Sequence, residues 1–326
     1  MIDRIERCIV HIGSEKTGTT SIQHYFSKNR AGLLNRGFWY PKSLAYADGR
    51  VHRRLSDLGR AISEDDRRLT ADEFLSEYDS AAASGAKVAV ISSEFLHSMI
   101  RKRGSVARIR NFLMPHFDRM QIVYYARRQD YLISSMHSTA IRGGFTTDHS
   151  ALPVYDGKGH HYFDHLQVCD LWASGFGAEN LICRVYERDK LLNGDIVDDF
   201  SAAIGLGIDA NRAHIASNKS LSLETMFALL LLNGSVHKGN TELRRRLVAM
   251  GSRRGGQHLP LLTKADALQF LERFVESNQA FFAKYVDPSL ATDFSTDFSG
   301  FPEAIPKISA ENILEFIFSP SRPERL

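Results

Sequence analysis

The stretch that most constrains this 326-residue chain runs from Cys8 to Phe26. It reads Cys-Ile-Val-His-Ile, then Gly-Ser-Glu-Lys-Thr-Gly, then Thr-Thr-Ser-Ile-Gln-His-Tyr-Phe. Cys8 to Ile12, mostly apolar and β-prone, predict a short buried strand. Gly13 and Gly18 bound a loop, and the amphipathic run after it opens a helix with hydroxyl side chains. A strand, tight loop and helix start of this kind point several backbone N–H groups and the positive end of a helix dipole at one spot, which suits a phosphate or sulfate group. Lys16 adds a mobile positive charge, and the hydroxyls of Thr19, Thr20 and Ser21 are donors to the same anion.

The rest of the chain supplies a sheet for that junction. Lys87 to Ile91, Met120 to Ala126 and Leu181 to Val185 read as further buried strands, each followed by helical spacing. This alternation predicts an α/β fold, a three-layer sandwich with a central parallel sheet, and the spacing of Gly13 and Gly18 makes it resemble a P-loop-NTPase-like fold. Phe38 to Tyr40 reads as a short extended piece beside the first strand. Val51 to Ile62 reads as a helix starting near His52, Glu64 to Arg68 as a solvated turn, Ala71 to Ser84 as an exposed helix, and Tyr162 to Ser174 as another helix. From Gly205 onward the periodicity is helical, at Ser222 to Asn233, Thr241 to Met250, Thr263 to Tyr285 and Ala310 to Phe318. We therefore expect an α/β core over residues 1–205 and a helical C-terminal extension over 206–326 packed on it, the two acting as one functional domain.

Composition narrows the classes of function. A content of 43% hydrophobic residues supports a sizeable core, and a net charge of +3 is too small to argue for nucleic acid. Cys8, Cys169 and Cys183 show no paired metal spacing and read as reduced core thiols. His149, His160, His161 and His165 cluster, but no His-Glu-x-x-His pattern accompanies them, so no metal is expected. No stretch approaches the eighteen apolar residues of a membrane span, and the N-terminus lacks an apolar signal core, so a cytoplasmic protein is expected.

The loop departs from the Walker A pattern of nucleotide hydrolases and kinases. Gly13 and Gly18 keep the glycine spacing, but Thr19 stands where the lysine belongs and Lys16 lies two places before the second glycine. Lys16-Thr17-Gly18-Thr19-Thr20-Ser21 after a strand instead resembles the 5′-phosphosulfate loop of sulfotransferases that use 3′-phosphoadenosine 5′-phosphosulfate (PAPS). The resemblance implies that Gly13, Lys16, Thr17, Gly18, Thr19, Thr20 and Ser21 hold the phosphosulfate. Arg127 at a strand end and Ser135 eight residues later match the spacing of that family's 3′-phosphate motif, although Arg-Gln follows where the family usually has Asn-Pro. Arg128 and Ser134 fit the same roles if the register shifts by one. Arg253-Arg254-Gly255 echoes the Arg-Lys-Gly run that cytosolic members place late in the chain against the 3′-phosphate. Trp172, Phe176-Gly177, Tyr186-Glu187 and Asp198-Asp199-Phe200 resemble the second half of bacterial sulfotransferase domains.

Ser92-Ser93-Glu94 ends the second clear strand, where ligands of open parallel sheets gather. Glu94 reads either as a loose Walker B element for Mg²⁺ or as a general base. In the cytosolic branch of the family a Lys-x-His segment at this strand end carries the base. Laid over it, Glu94 takes the histidine's place, as glutamate does in the branch acting on glycosaminoglycans. His52, after the loop at 42–50, is the other candidate base. The irregular connection from Gly143 to His160 is expected to form part of an acceptor cleft.

The resemblance thus implies sulfuryl transfer from PAPS to a hydroxyl or amine of a small-molecule or glycan acceptor, leaning to a carbohydrate or glycolipid. The product would be adenosine 3′,5′-bisphosphate, with no metal and no nucleic-acid partner; oligomeric state is left open. The alternatives are a small-molecule kinase using ATP and Mg²⁺, and a non-enzymatic anion-binding module.

Overall fold

The computed structural model describes residues 4–46, 48–60, 62–146, 160–209, 212, 221–254 and 259–318. Five strands, β1 (Ile5–His11), β2 (Phe38–Trp39), β3 (Val88–Ser92), β4 (Phe117–Ala126) and β5 (Leu181–Val185), form one all-parallel sheet in the order β2-β3-β1-β4-β5. β1 is central, with Ile9 opposite Val90 on one side and Gln121 on the other. After β1 the chain moves outward to β2, returns to β3, and crosses to β4 on the far side. The crevice beyond the carboxyl end of β1 therefore lies where the winding reverses, the place at which such sheets receive ligands.

Both faces of the sheet are buried, as the apolar strands predict. Cys8 and Val10 of β1 point to one face, together with Ile91, Tyr124 and Cys183, where they pack against helices carrying Leu55, Ile109, Trp172 and Phe281. Ile9, Val90 and Tyr125 point to the other face, against Ile22, Phe26 and Phe200. Period-two alternation of side chains along a strand produces this split.

Two expectations are corrected here. The extended piece at Phe38 does not lie beside the first strand; β2 pairs with β3, with Phe38 opposite Val88. Gly37, at φ 79°, turns its carbonyl to accept from the N–H groups of both Lys87 and Val88, which fixes β2 at that edge. Glu64 to Arg68 is no turn but the first part of a single helix, Glu64–Ala83. Ser63 Oγ accepts from Asp66 N at the N-cap, and Glu64, Asp65 and Asp66 sit at the positive end of the dipole. Ser63 followed three places later by an acid was the readable signal.

The chain divides into two compact units. The first comprises Met1–Arg127, Gly159–Ile215 and Val275–Phe294, and the second Arg128–Lys158, Ala216–Phe274 and Ser295–Leu326. The division does not follow a single cut at 205. Helix Val275–Tyr285 belongs with the sheet, where Phe281 joins the core and Val286 bridges to Cys183. In the second unit the described elements are helices, with Ile141, Leu229, Leu232 and Leu247 in a common core. No described helix is long and apolar enough to cross a membrane.

Four histidines, His11, His52, His97 and His165, are fully buried in the first unit, and burial pushes their pKa values down to about 3, 4, 3 and 4 respectively. Each stays neutral when folded, whereas in the unfolded chain each protonates near pH 6.5. The unfolded state therefore binds more protons below pH 6.5, and stability falls as pH drops from there toward 4, by about 1.4 kcal/mol per pH unit for each histidine. Urea unfolding at pH 7, 6 and 5 is expected to show this loss, with roughly three to four protons taken up by these side chains on unfolding near pH 5.5.

Candidate active site

Between β1 and helix Thr19–Lys28 the loop folds under constraints that its glycines satisfy. Gly13 has φ 96°, and a Cβ there would lie 3.3 Å from both Glu15 N and Glu94 Cα. Gly18 has φ 77° and forms the N-cap; a Cβ on it would come within 2.9 Å of Ile196 Cγ2. Lys16 also adopts a left-handed backbone, at φ 65°. The strand end of β4 anchors the loop, because Tyr125 N donates to the Gly13 carbonyl at 2.9 Å and Ser14 Oγ to the Tyr125 carbonyl at 3.2 Å.

The helix itself starts without a side-chain cap. Ser21 N and Ile22 N reach back to the Gly18 carbonyl, and Thr19 and Thr20 precede the first intrahelical bond, so the helix itself supplies no acceptor for their N–H groups. Thr20 is exposed and Ser21 half-buried. Thr17 is fully buried and its hydroxyl donates to the Ser14 carbonyl at 2.6 Å, so its side chain braces the loop.

Arg127, directly after β4, comes to the same place. Its Nη1 donates to the Lys16 carbonyl at 2.6 Å, and its guanidinium lies 5.6 Å from the Tyr186 ring centre. A strut that the sequence did not reveal fixes its backbone: His165 Nε2 bonds the Arg127 carbonyl at 2.9 Å while Nδ1 meets the Tyr124 hydroxyl at 2.7 Å. Arg128 is committed elsewhere. In the second unit it is fully buried, paired with Asp130 at 2.8 Å and stacked 4.2 Å from the Phe298 ring centre. Of the two adjacent arginines, only Arg127 is placed at the loop.

Glu94 follows β3 as the N-cap of the short helix Phe95–Met99, but its side chain makes no capping bond. Instead Gln23 Nε2 donates to Glu94 Oε2 at 2.6 Å. Close by, burial together with the Glu15 and Glu94 carboxylates holds the Tyr162 hydroxyl protonated, its pKa raised well above the ordinary range. The His97 ring packs edge-on against Tyr162 at 4.6 Å.

The first unit thus gathers the Gly13 to Ser21 loop, Glu94 and Arg127 around the carboxyl ends of β1, β3 and β4. No protein-family profile matches the chain. A curated relative from Archaeoglobus fulgidus, itself described as uncharacterised, is 26% identical over 201 residues, which is 60% of this chain and 53% of that protein. The chain therefore spans about half the length of the curated relative it matches. Among solved structures, a sulfotransferase from Alicyclobacillus acidocaldarius aligns at a TM-score of 0.41 and 15% identity, covering 75% of this chain and 100% of that one.

His52 is withdrawn as a base. It is fully buried; its Nδ1 accepts from Ser92 N at 2.8 Å, so Nε2 carries the proton and donates to the Pro41 carbonyl at 2.7 Å. Neither ring nitrogen is left for a reacting proton. Ser135 sits half-buried on helix Gln129–Arg142 of the second unit. Arg253 and Arg254 are not in a loop but close helix Thr241–Arg254 of that unit, with Arg253 exposed. Residues 147–159 of the expected acceptor connection, including His149, and Gly255 lie outside the described residues.

Proposed function

We propose that the chain is a sulfuryl-transfer enzyme using PAPS as donor, with the β1 loop as the seat of the phosphosulfate. The observation that supports the reading is the 2.6 Å bond from Arg127 Nη1 to the Lys16 carbonyl, which brings the Arg127 guanidinium to the backbone of the β1 loop. The cradle suits a tetrahedral anion: glycine where a Cβ would crowd Glu94, N–H groups of a helix start that have no acceptor within the helix, and the exposed Thr20 residue. Walker A chemistry with ATP and Mg²⁺ fits less well, since Thr19 occupies the lysine position and Glu94 is bonded by an amide donor.

In this reaction Glu94 removes the proton of an acceptor hydroxyl or amine as the acceptor's lone pair forms a bond to sulfur. The bond from sulfur to the bridging phosphate oxygen breaks, and adenosine 3′,5′-bisphosphate leaves with that electron pair. Lys16 neutralises the charge gathering on the bridging oxygen, an interaction stronger in the transition state than in the ground state. Arg127 contributes a bidentate guanidinium for the nucleotide's phosphates. The lean to a carbohydrate or glycolipid acceptor rests on the resemblance of Glu94 to the glutamate base of the branch acting on glycosaminoglycans.

Thermal unfolding with adenosine 3′,5′-bisphosphate, ATP with Mg²⁺, or heparin tests this. The bisphosphate without metal, at about a hundred times its Kd, is expected to raise Tm by roughly 4 °C. Stabilisation by ATP and Mg²⁺ alone would point to a kinase, and by heparin alone to an anion-binding module.

A further inference from the structure

Glu94 Oε2 receives the Gln23 amide at 2.6 Å, and among the described residues no hydrogen bond to Oε1 is made. The contact fixes the amide's orientation, because an amide oxygen would repel a carboxylate oxygen at that distance. Gln23 is itself buried, and its Nε2 lies 3.5 Å from Ser92 Oγ, which in turn lies 2.8 Å from His11 Nδ1. The carboxylate is therefore the outer end of a side-chain chain running inward through β3 to β1. Gln23 also sits one turn into helix Thr19–Lys28, the helix whose first N–H groups open the anion cradle. One rigid element carries both the donor's seat and the tether of the base.

Resting on the sulfuryl-transfer reading, we propose that Gln23 is a positioning residue: it pins Oε2 of Glu94, leaves Oε1 to take the acceptor's proton, and holds that oxygen in register with sulfur on the cradle. A glutamate at the start of a five-residue helix has three side-chain torsions to settle, and an ångström of misplacement is enough to cost roughly 10²-fold in rate. A merely structural Gln23 would matter for stability and not for the partition between binding and turnover.

The test is a cycle of Gln23→Leu, Glu94→Gln and the double variant, with Gln23→Met as a second isosteric change should the leucine variant not fold. The readouts are bisphosphate affinity by calorimetry and release of bisphosphate from PAPS with water or an alkyl glucoside as acceptor. Gln23→Leu is expected to lower kcat about 10- to 100-fold with the KM for PAPS within about threefold, and to add less than about twofold in the Glu94→Gln background. An unchanged kcat, a loss carried in KM, or the same loss in both backgrounds overturns the assignment. Wild-type protein that neither binds the bisphosphate nor releases it from PAPS instead strikes down the sulfuryl-transfer reading itself, and this inference with it.

Discussion

Glu94→Gln is expected to slow sulfuryl transfer by roughly 10²–10⁴-fold while bisphosphate binding survives, the scale for losing a general base that is well placed. The substitution is nearly isosteric, and the new amide oxygen still accepts from Gln23 Nε2, so the network behind it persists. The cradle is left intact, because Gly13 faces Glu94 through backbone and Cβ atoms that both side chains share. Only the capacity to take a proton disappears. Steady-state rates paired with calorimetry separate the outcomes: loss of nucleotide binding along with the rate would make Glu94 a structural group or a metal ligand.

Lys16→Ala is expected to cost roughly 10²–10³-fold in turnover, the effect of removing one preorganised donor to developing charge. The backbone at this position is left-handed, a strain that lysine already bears and alanine would bear equally. The bond from Arg127 is to the Lys16 carbonyl and does not involve its side chain, so it too survives the change. The variant thus deletes an amine while the bond from Arg127 to the loop backbone stays available. A rate within twofold of wild type, measured at saturating PAPS, would remove Lys16 from the chemistry.

Much of the fold was legible because its signals are local. Leu181 to Val185 is a short, mostly apolar run soon after Gly177, and β5 occupies those residues. The first turn was legible because Gly13 and Gly18 both hold positive φ, a need that few other residues meet. Pairing was less so: nothing in Phe38 and Trp39 states which strand they meet, since an edge strand of two residues takes its partner from where the preceding turn delivers it. At the site, the groups least legible in sequence are those whose bonds run to partners a spacing rule does not name. Sequence spacing could not separate Arg127 from Arg128; the buried Asp130 and Phe298 do. Thr17 looked like its neighbouring hydroxyls until the Ser14 carbonyl claimed it, and Gln23 carried no motif at all.

His52 shows what a side chain can do for a sheet that is too short. β2 ends at Trp39, yet His52 meets Ser92 twice, through its own N–H to the Ser92 carbonyl at 3.0 Å and through Nδ1 from the Ser92 N–H at 2.8 Å. The imidazole thereby substitutes for a missing rung and clamps the last residue of β3, two positions before Glu94. Such a rivet holds only while Nδ1 keeps its lone pair. The clamp therefore belongs to the neutral imidazole, and His52 is one of the four buried rings whose burial as the neutral form ties the stability of the sheet to pH.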